Sequence, residues 1–134
     1  MKLERIIQQS VYLENRVGAL ADLCRIISDR KINLLAICAI DTIEEAVLRI
    51  VAEDGPAATK ALKEGGFAVV ETEVLLVELD NVPGATGRMA TLLANAAINI
   101  DYVYASAHPT GNRAYLILRT HQLDEAERVL KGDS

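Results

Sequence analysis

The chain is constrained most by its own repetition. Asn15-Arg16-Val17-Gly18 returns as Asn81-Val82-Pro83-Gly84, and Lys31-Ile32-Asn33 returns as Ala97-Ile98-Asn99, so two separate stretches share an offset of 66 residues, from 15 to 81 and from 31 to 97. A constant offset means that nothing is gained or lost between them, and a period of this kind calls for one small unit that folds twice. Farther on, Ala46-Val47-Leu48-Arg49-Ile50 corresponds to Ala114-Tyr115-Leu116-Ile117-Leu118 and Ala61-Leu62 to Val129-Leu130, now 68 apart, from 46 to 114 and from 61 to 129. The two extra residues enter in what reads as a hairpin.

Periodicity gives each copy the same elements. Alternation over residues 6–14 and 74–80 predicts a first strand. Leu20, Leu23, Cys24 and Ile27 fall at helical spacing, as do Met89, Leu92, Leu93 and Ala96, so an amphipathic helix follows the Asn-x-x-Gly turn in both halves. Apolar runs at 33–40 and 99–107 then pair with 46–52 and 114–120 across turn-rich 41–45 and 108–112. A second helix starts after Asp54-Gly55-Pro56, and its counterpart runs over 123–130. The first copy closes with a strand at 67–70 after Gly65-Gly66. The second has only Lys131-Gly132-Asp133-Ser134 left, so its last strand is missing or comes from elsewhere. The unit is βαββαβ, with antiparallel sheets, in two domains over 1–72 and 73–134. Segment 67–80, free of Gly and Pro, reads as one long strand, and the missing fourth strand would leave 74–80 as an open edge able to pair with a second chain. Strands apolar on both faces, as in Leu34 to Ile37, point the same way, to packing within the chain or to a homodimer.

Composition narrows the function. The 134 residues carry a net charge of −5, only 4% aromatic residues and no clustered basic run, which excludes a nucleic-acid partner. No apolar run of about 20 residues is present and the first residues mix both charges, so neither a membrane partner nor an export signal is expected and the location is cytoplasmic. Cys24 and Cys38 fall in a helix and a strand core, where free cysteine acts as a small hydrophobe. His108 and His121 lack metal-ligand spacing and partners for nucleophilic catalysis, and Glu44-Glu45 reads as a solvated turn. No metal, cofactor or enzymatic activity is expected.

The loop Asn81-Val82-Pro83-Gly84 lies between a strand and a helix N-terminus, where free N–H groups and the positive dipole end favour an anion. Asn can cap the helix or bind a ligand, Pro sets φ, and Gly admits close approach. The plainer alternative is a good turn followed by a good cap, and recurrence in both copies weighs against it.

Asn-x-Pro-Gly between strand and helix, then an apolar helix, then Ile-Asn opening an apolar strand, resembles the ACT domain, and the resemblance covers both halves. It implies a tandem ferredoxin-like α+β fold, allosteric control of amino-acid metabolism, and small amino acids bound where paired units meet. Carried over position by position, it implies ligand contacts from Asn81, Val82, Pro83 and Gly84 with Asn99, Ile100 and Asp101, and from Asn15, Arg16, Val17 and Gly18 with Asn33, Leu34 and Leu35. The first copy departs in having Val17 for the usual Pro and Arg16 at the variable position. The helix N-termini would meet the carboxylate of an amino acid, with Arg16 a further candidate, and Asp101 or strand-end carbonyls its ammonium, although a solvated Asp101 or Arg16 is the plainer reading. Three roles compete: a free-standing sensor of a small amino acid, a regulatory subunit held to an enzyme partner, and a ligand-free dimerisation scaffold.

Overall fold

The computed structural model describes residues 1–41 and 45–133, so the first hairpin turn, with Glu44, lies outside the described residues. Ten elements follow in order: β1 (Lys2–Glu14), α1 (Ala19–Asp29), β2 (Leu34–Asp41), β3 (Glu45–Ala52), α2 (Gly55–Glu64), β4 (Val69–Asp80), α3 (Ala85–Asn95), β5 (Tyr102–Ala107), β6 (Arg113–Arg119) and α4 (Leu123–Lys131). The chain forms two compact units, Ile7–Thr72 and Met1–Ile6 with Glu73–Ser134. They are called here the first and second unit.

In the first unit the strand order is β2, β3, β1, β4. β1 and β3 pair antiparallel from Gln9 opposite Ile50 to Glu14 opposite Glu45. β2 pairs antiparallel with β3, with a bulge between Leu34 and Ala36 that leaves Leu35 56% exposed. Alternation along β1 sends Val11 and Leu13 to one face, where they meet Leu48 and Ile50 of β3, Leu23 and Ile27 of α1, and Ala58 and Leu62 of α2. Asp54 caps α2 by accepting the Ala57 N–H at 3.1 Å, with Pro in the first turn. A polar chain enters this unit's interior. The buried Gln9 donates to the Gly55 carbonyl at 3.0 Å and to Thr59 Oγ1 at 3.2 Å, and Thr59 donates to Glu71 of β4 at 3.0 Å.

The second unit repeats the layout with a strand borrowed from the chain's beginning. Residues 2–6 of β1 lie beside β4, followed by β6 and β5, which is the ferredoxin-like order 4-1-3-2. β4 pairs with β6 from Leu75 opposite Leu118 to Asp80 opposite Arg113, and β5 with β6 from Tyr102 opposite Arg119 to Ala107 opposite Ala114. The missing fourth strand is therefore supplied from elsewhere. The segment runs antiparallel to β4, because Lys2 approaches Glu78 at 3.7 Å while Arg5 approaches Glu73 at 3.4 Å. Met1 and Leu3 pack on a core made of Leu75, Val77, Leu79, Met89, Leu93 and their neighbours, and Arg5 reaches α4 at Asp124 (2.7 Å) and Glu127 (3.0 Å). The expected open edge along 74–80 is thus a correction: β4 is one strand from Val69, as its composition predicts, but its second half is covered from within the chain. At the 66-residue offset Val69 falls on Leu3 but Glu71 falls on Arg5, of opposite charge, so the repeat by itself does not mark this strand.

α1 and α3 end alike. Lys31 (φ 57°) and Ala97 (φ 58°) take the left-handed conformation, and the next N–H, of Ile32 or Ile98, returns to Ile27 or Leu93 at 3.2 and 2.9 Å, the usual closure of a helix C-terminus made here without glycine.

Candidate functional site

Both Asn-x-x-Gly loops place glycine as the first residue of a helix cap with positive φ, +87° at Gly18 and +88° at Gly84. This conformation is nearly free to glycine and costly to a side chain. Neither α1 nor α3 has a side-chain cap; the Ala19 and Ala85 N–H groups turn back to the Arg16 and Val82 carbonyls, both at 3.3 Å, which leaves the next amides of each first turn to an anion.

Asn81 does something the sequence reading did not anticipate. It neither caps α3 nor points its amide at open space: Nδ2 donates to the carbonyls of His108 and Gly111, both at 2.9 Å, and its backbone N–H donates to Asn112 at 2.9 Å. The side chain ties the β5–β6 turn to the start of the loop. His108 belongs to the same turn, accepting the Thr110 N–H at 3.2 Å.

Val82, Pro83, Gly84 and Ala85 form one wall of a cleft of about 380 Å³ in the second unit, faced by Glu78, Asp80, Arg88, Arg113, Asp133 and the Met1 side of the borrowed strand. Arg113 pairs with Asp80 and with Glu78 (3.3 Å), and Arg88 with Asp133 (2.9 Å). Hydrogen bonding to Arg113 holds the Glu78 carboxyl below the usual carboxylate range. Among the four helices α3 has no acidic residue in its first turn and no capping side chain, whereas Asp22 serves α1, Asp54 caps α2, and Asp124 with Glu125 open α4.

The other expected contacts lie at the far end of each unit. Asp80 is opposite Arg113, whereas the Asp101 N–H donates to Arg119 at 2.9 Å; six residues of strand separate these points by roughly 20 Å. There Asn99 donates to Asp101 at 3.2 Å, Asp101 pairs with His121 at 2.5 Å, and the Asn99 carbonyl accepts from Thr120 at 2.7 Å. Ile100 packs at the edge of the core. In the first unit Asn33 accepts the Glu53 N–H at 2.8 Å, at the end opposite Asn15, Arg16, Val17 and Gly18, with Leu34 against the core and Leu35 outward. One unit by itself therefore assembles the glycine loop and not the full expected set. Sequence reasoning missed Arg88, Arg113 and Asp133, which the fold gathers from α3, β6 and the segment after α4. Among the described residues no cluster of His, Cys, Asp or Glu could hold a metal, and no helix is long and apolar enough to cross a membrane.

The sequence pattern of a known family, described as an ACT domain pair, matches residues 4–133. The chain belongs to that family. A protein of solved structure from Bacteroides thetaiotaomicron is similar over 98% of this chain and 90% of its own, at 32% identity and a TM-score of 0.91. The regulatory subunit of aspartate kinase from Thermus thermophilus shares the fold at 13% identity and a TM-score of 0.69, over 98% of this pair and 94% of that chain. The corresponding subunit from Thermus flavus does so at 16% and 0.66, over 98% and 94%. No curated protein sequence matches this ACT domain pair.

Proposed function

We propose that this ACT domain pair is a non-catalytic regulatory protein that binds a small amino acid at the Gly84 loop and passes occupancy to a partner enzyme or to its own assembly. The observation that carries this reading is the cleft beside Gly84, which offers both charge signs a zwitterion needs. The uncapped start of α3 and Arg88 suit a carboxylate, and Asp80 and Asp133 suit an ammonium. Its volume of about 380 Å³ falls in the range of small-molecule sites, about 300–1,000 Å³. The fold shared with the Thermus regulatory subunits supports an enzyme as the partner, and Asn99, Ile100, Asp101, Asn33, Leu34 and Leu35 are available to a neighbouring unit's loop rather than to their own.

A thermal-shift screen over the twenty amino acids and their 2-oxo acids tests this. A ligand at about 100 times its Kd adds roughly 2.7 kcal/mol, or on the order of 10 °C in Tm for a chain of this size. A flat response to every compound would end the proposal. Co-purification of a tagged chain with an enzyme of amino-acid metabolism would identify the partner, and a chain recovered alone would favour self-assembly as the readout.

A further inference from the structure

The two glycine loops have the same backbone and different occupants. In the second unit, a Cβ built on Gly84 meets nothing within 4 Å. In the first, a Cβ on Gly18 lies 3.8 Å from Arg16 Nη1: the guanidinium lies against the loop, donating to Asp22 at 2.9 Å and to the Val17 carbonyl at 3.2 Å and pairing with Glu14 at 3.3 Å. Position 16 corresponds to Val82, an exposed apolar residue that cannot reach in this way. The charges around the loops are exchanged as well. Arg88 and Arg113 of the second unit stand where the first has Asp22 and Glu45, and Asp22, together with Glu14, holds the arginine.

We infer that Arg16 is an internal occupant of the first unit's loop, which closes that loop to small zwitterions and leaves the pair with one amino-acid site, at Gly84. This rests on the amino-acid reading of the Gly84 cleft. The Arg16 bond also holds the Asp22 carboxyl below the usual carboxylate range, so the ion pair persists further into acid than an unpartnered aspartate would allow.

Glycine is a suitable probe, because it carries only the carboxylate and ammonium common to all candidates. Titrated into the 15N-labelled chain, it should shift the amides of Gly84, Thr86 and Gly87 and leave Gly18 still. In Arg16→Val, which copies Val82, Gly18 should respond too, with its apparent affinity rising about tenfold or more. The reciprocal Val82→Arg with Arg88→Asp rebuilds the closed arrangement and should silence Gly84. Equal responses at both loops of the wild type would overturn the inference while leaving the amino-acid reading intact. Silence at both wild-type loops would count against that reading instead; Arg16→Val then decides, a Gly18 response upholding the occupancy of Arg16 and a still Gly18 overturning it.

Discussion

The two units are built on one plan and differ in what fills its equivalent places. In the first, the interior between sheet and α2 carries a hydrogen-bonded chain from Gln9 through Thr59 to Glu71. In the second the matching positions are Leu75, Glu127 and Arg5, so the interior is apolar and the polar contact has moved outward to an Arg5–Glu127 pair at 3.0 Å. The first solution is incomplete, since the buried Gln9 Oε1 has no partner while its Nε2 makes both bonds, a cost the apolar second interior does not carry. The loops differ similarly, with an arginine over Gly18 and open space over Gly84. Shared topology thus leaves the fourth strand's contacts and the first loop's occupancy free to diverge.

The strongest way to break the comparison is to excavate each core separately. Leu48 and Leu116 are equivalent and fully buried. Either one changed to Ala should cost about 2–5 kcal/mol, and amide exchange should accelerate in β2 and β3 for Leu48→Ala but in β5 and β6 for Leu116→Ala. A uniform increase along the chain would mean that the two cores do not open separately.

A smaller loss is expected at the second unit's hairpin. Asn81→Ala removes two side-chain hydrogen bonds and should cost about 1–3 kcal/mol by urea denaturation, with faster exchange at residues 108–112. A cost confined to the start of α3 would return Asn81 to a capping role.

Gly18→Val and Gly84→Val each force a branched side chain to φ near +88°, at about 1–2 kcal/mol. Nothing crowds a Cβ at 84, so backbone strain alone sets that loss. The comparison sharpens if only the variant at 84 also abolishes the Tm response to amino acids.

The helix ends offer a gain. Lys31→Gly and Ala97→Gly relieve the same left-handed strain and should stabilise the chain by up to about 1 kcal/mol, since both positions have φ near 58°. A loss at either would show that side-chain packing there outweighs the backbone.

The smallest effect concerns pH. Hydrogen bonds from Lys131 and then Arg5 lower the Glu127 pKa in the folded chain, so the unfolded chain binds the proton more readily. The stability from this pair is present above the ordinary carboxylate range and disappears as pH falls through the folded value. Arg5→Leu should flatten the acid limb of the stability curve relative to wild type. An unchanged limb would remove the Arg5 pair from the contacts that hold the borrowed strand.

Repetition in the sequence was enough to establish that one βαββαβ unit occurs twice and where its helices and hairpins fall, because amphipathic spacing and turn residues are local properties. The glycine loops were legible for the same reason: a positive φ before a helix is a demand on a single residue. The fourth strand of the second unit was not legible as such. A strand's partner is chosen by long-range pairing, and residues 1–6 read as a charged lead-in until the sheet showed Leu3 on the second core. The rest of the cleft was equally hidden, since Arg88, Arg113 and Asp133 share no motif and meet only when a helix, a strand and the chain's end converge. Asn81 illustrates the division. Its identity marks the turn, but only the tertiary structure decided that its amide would bind the neighbouring hairpin, because those carbonyls lie 27 and 30 residues away and come into reach only through the β4–β6 pairing.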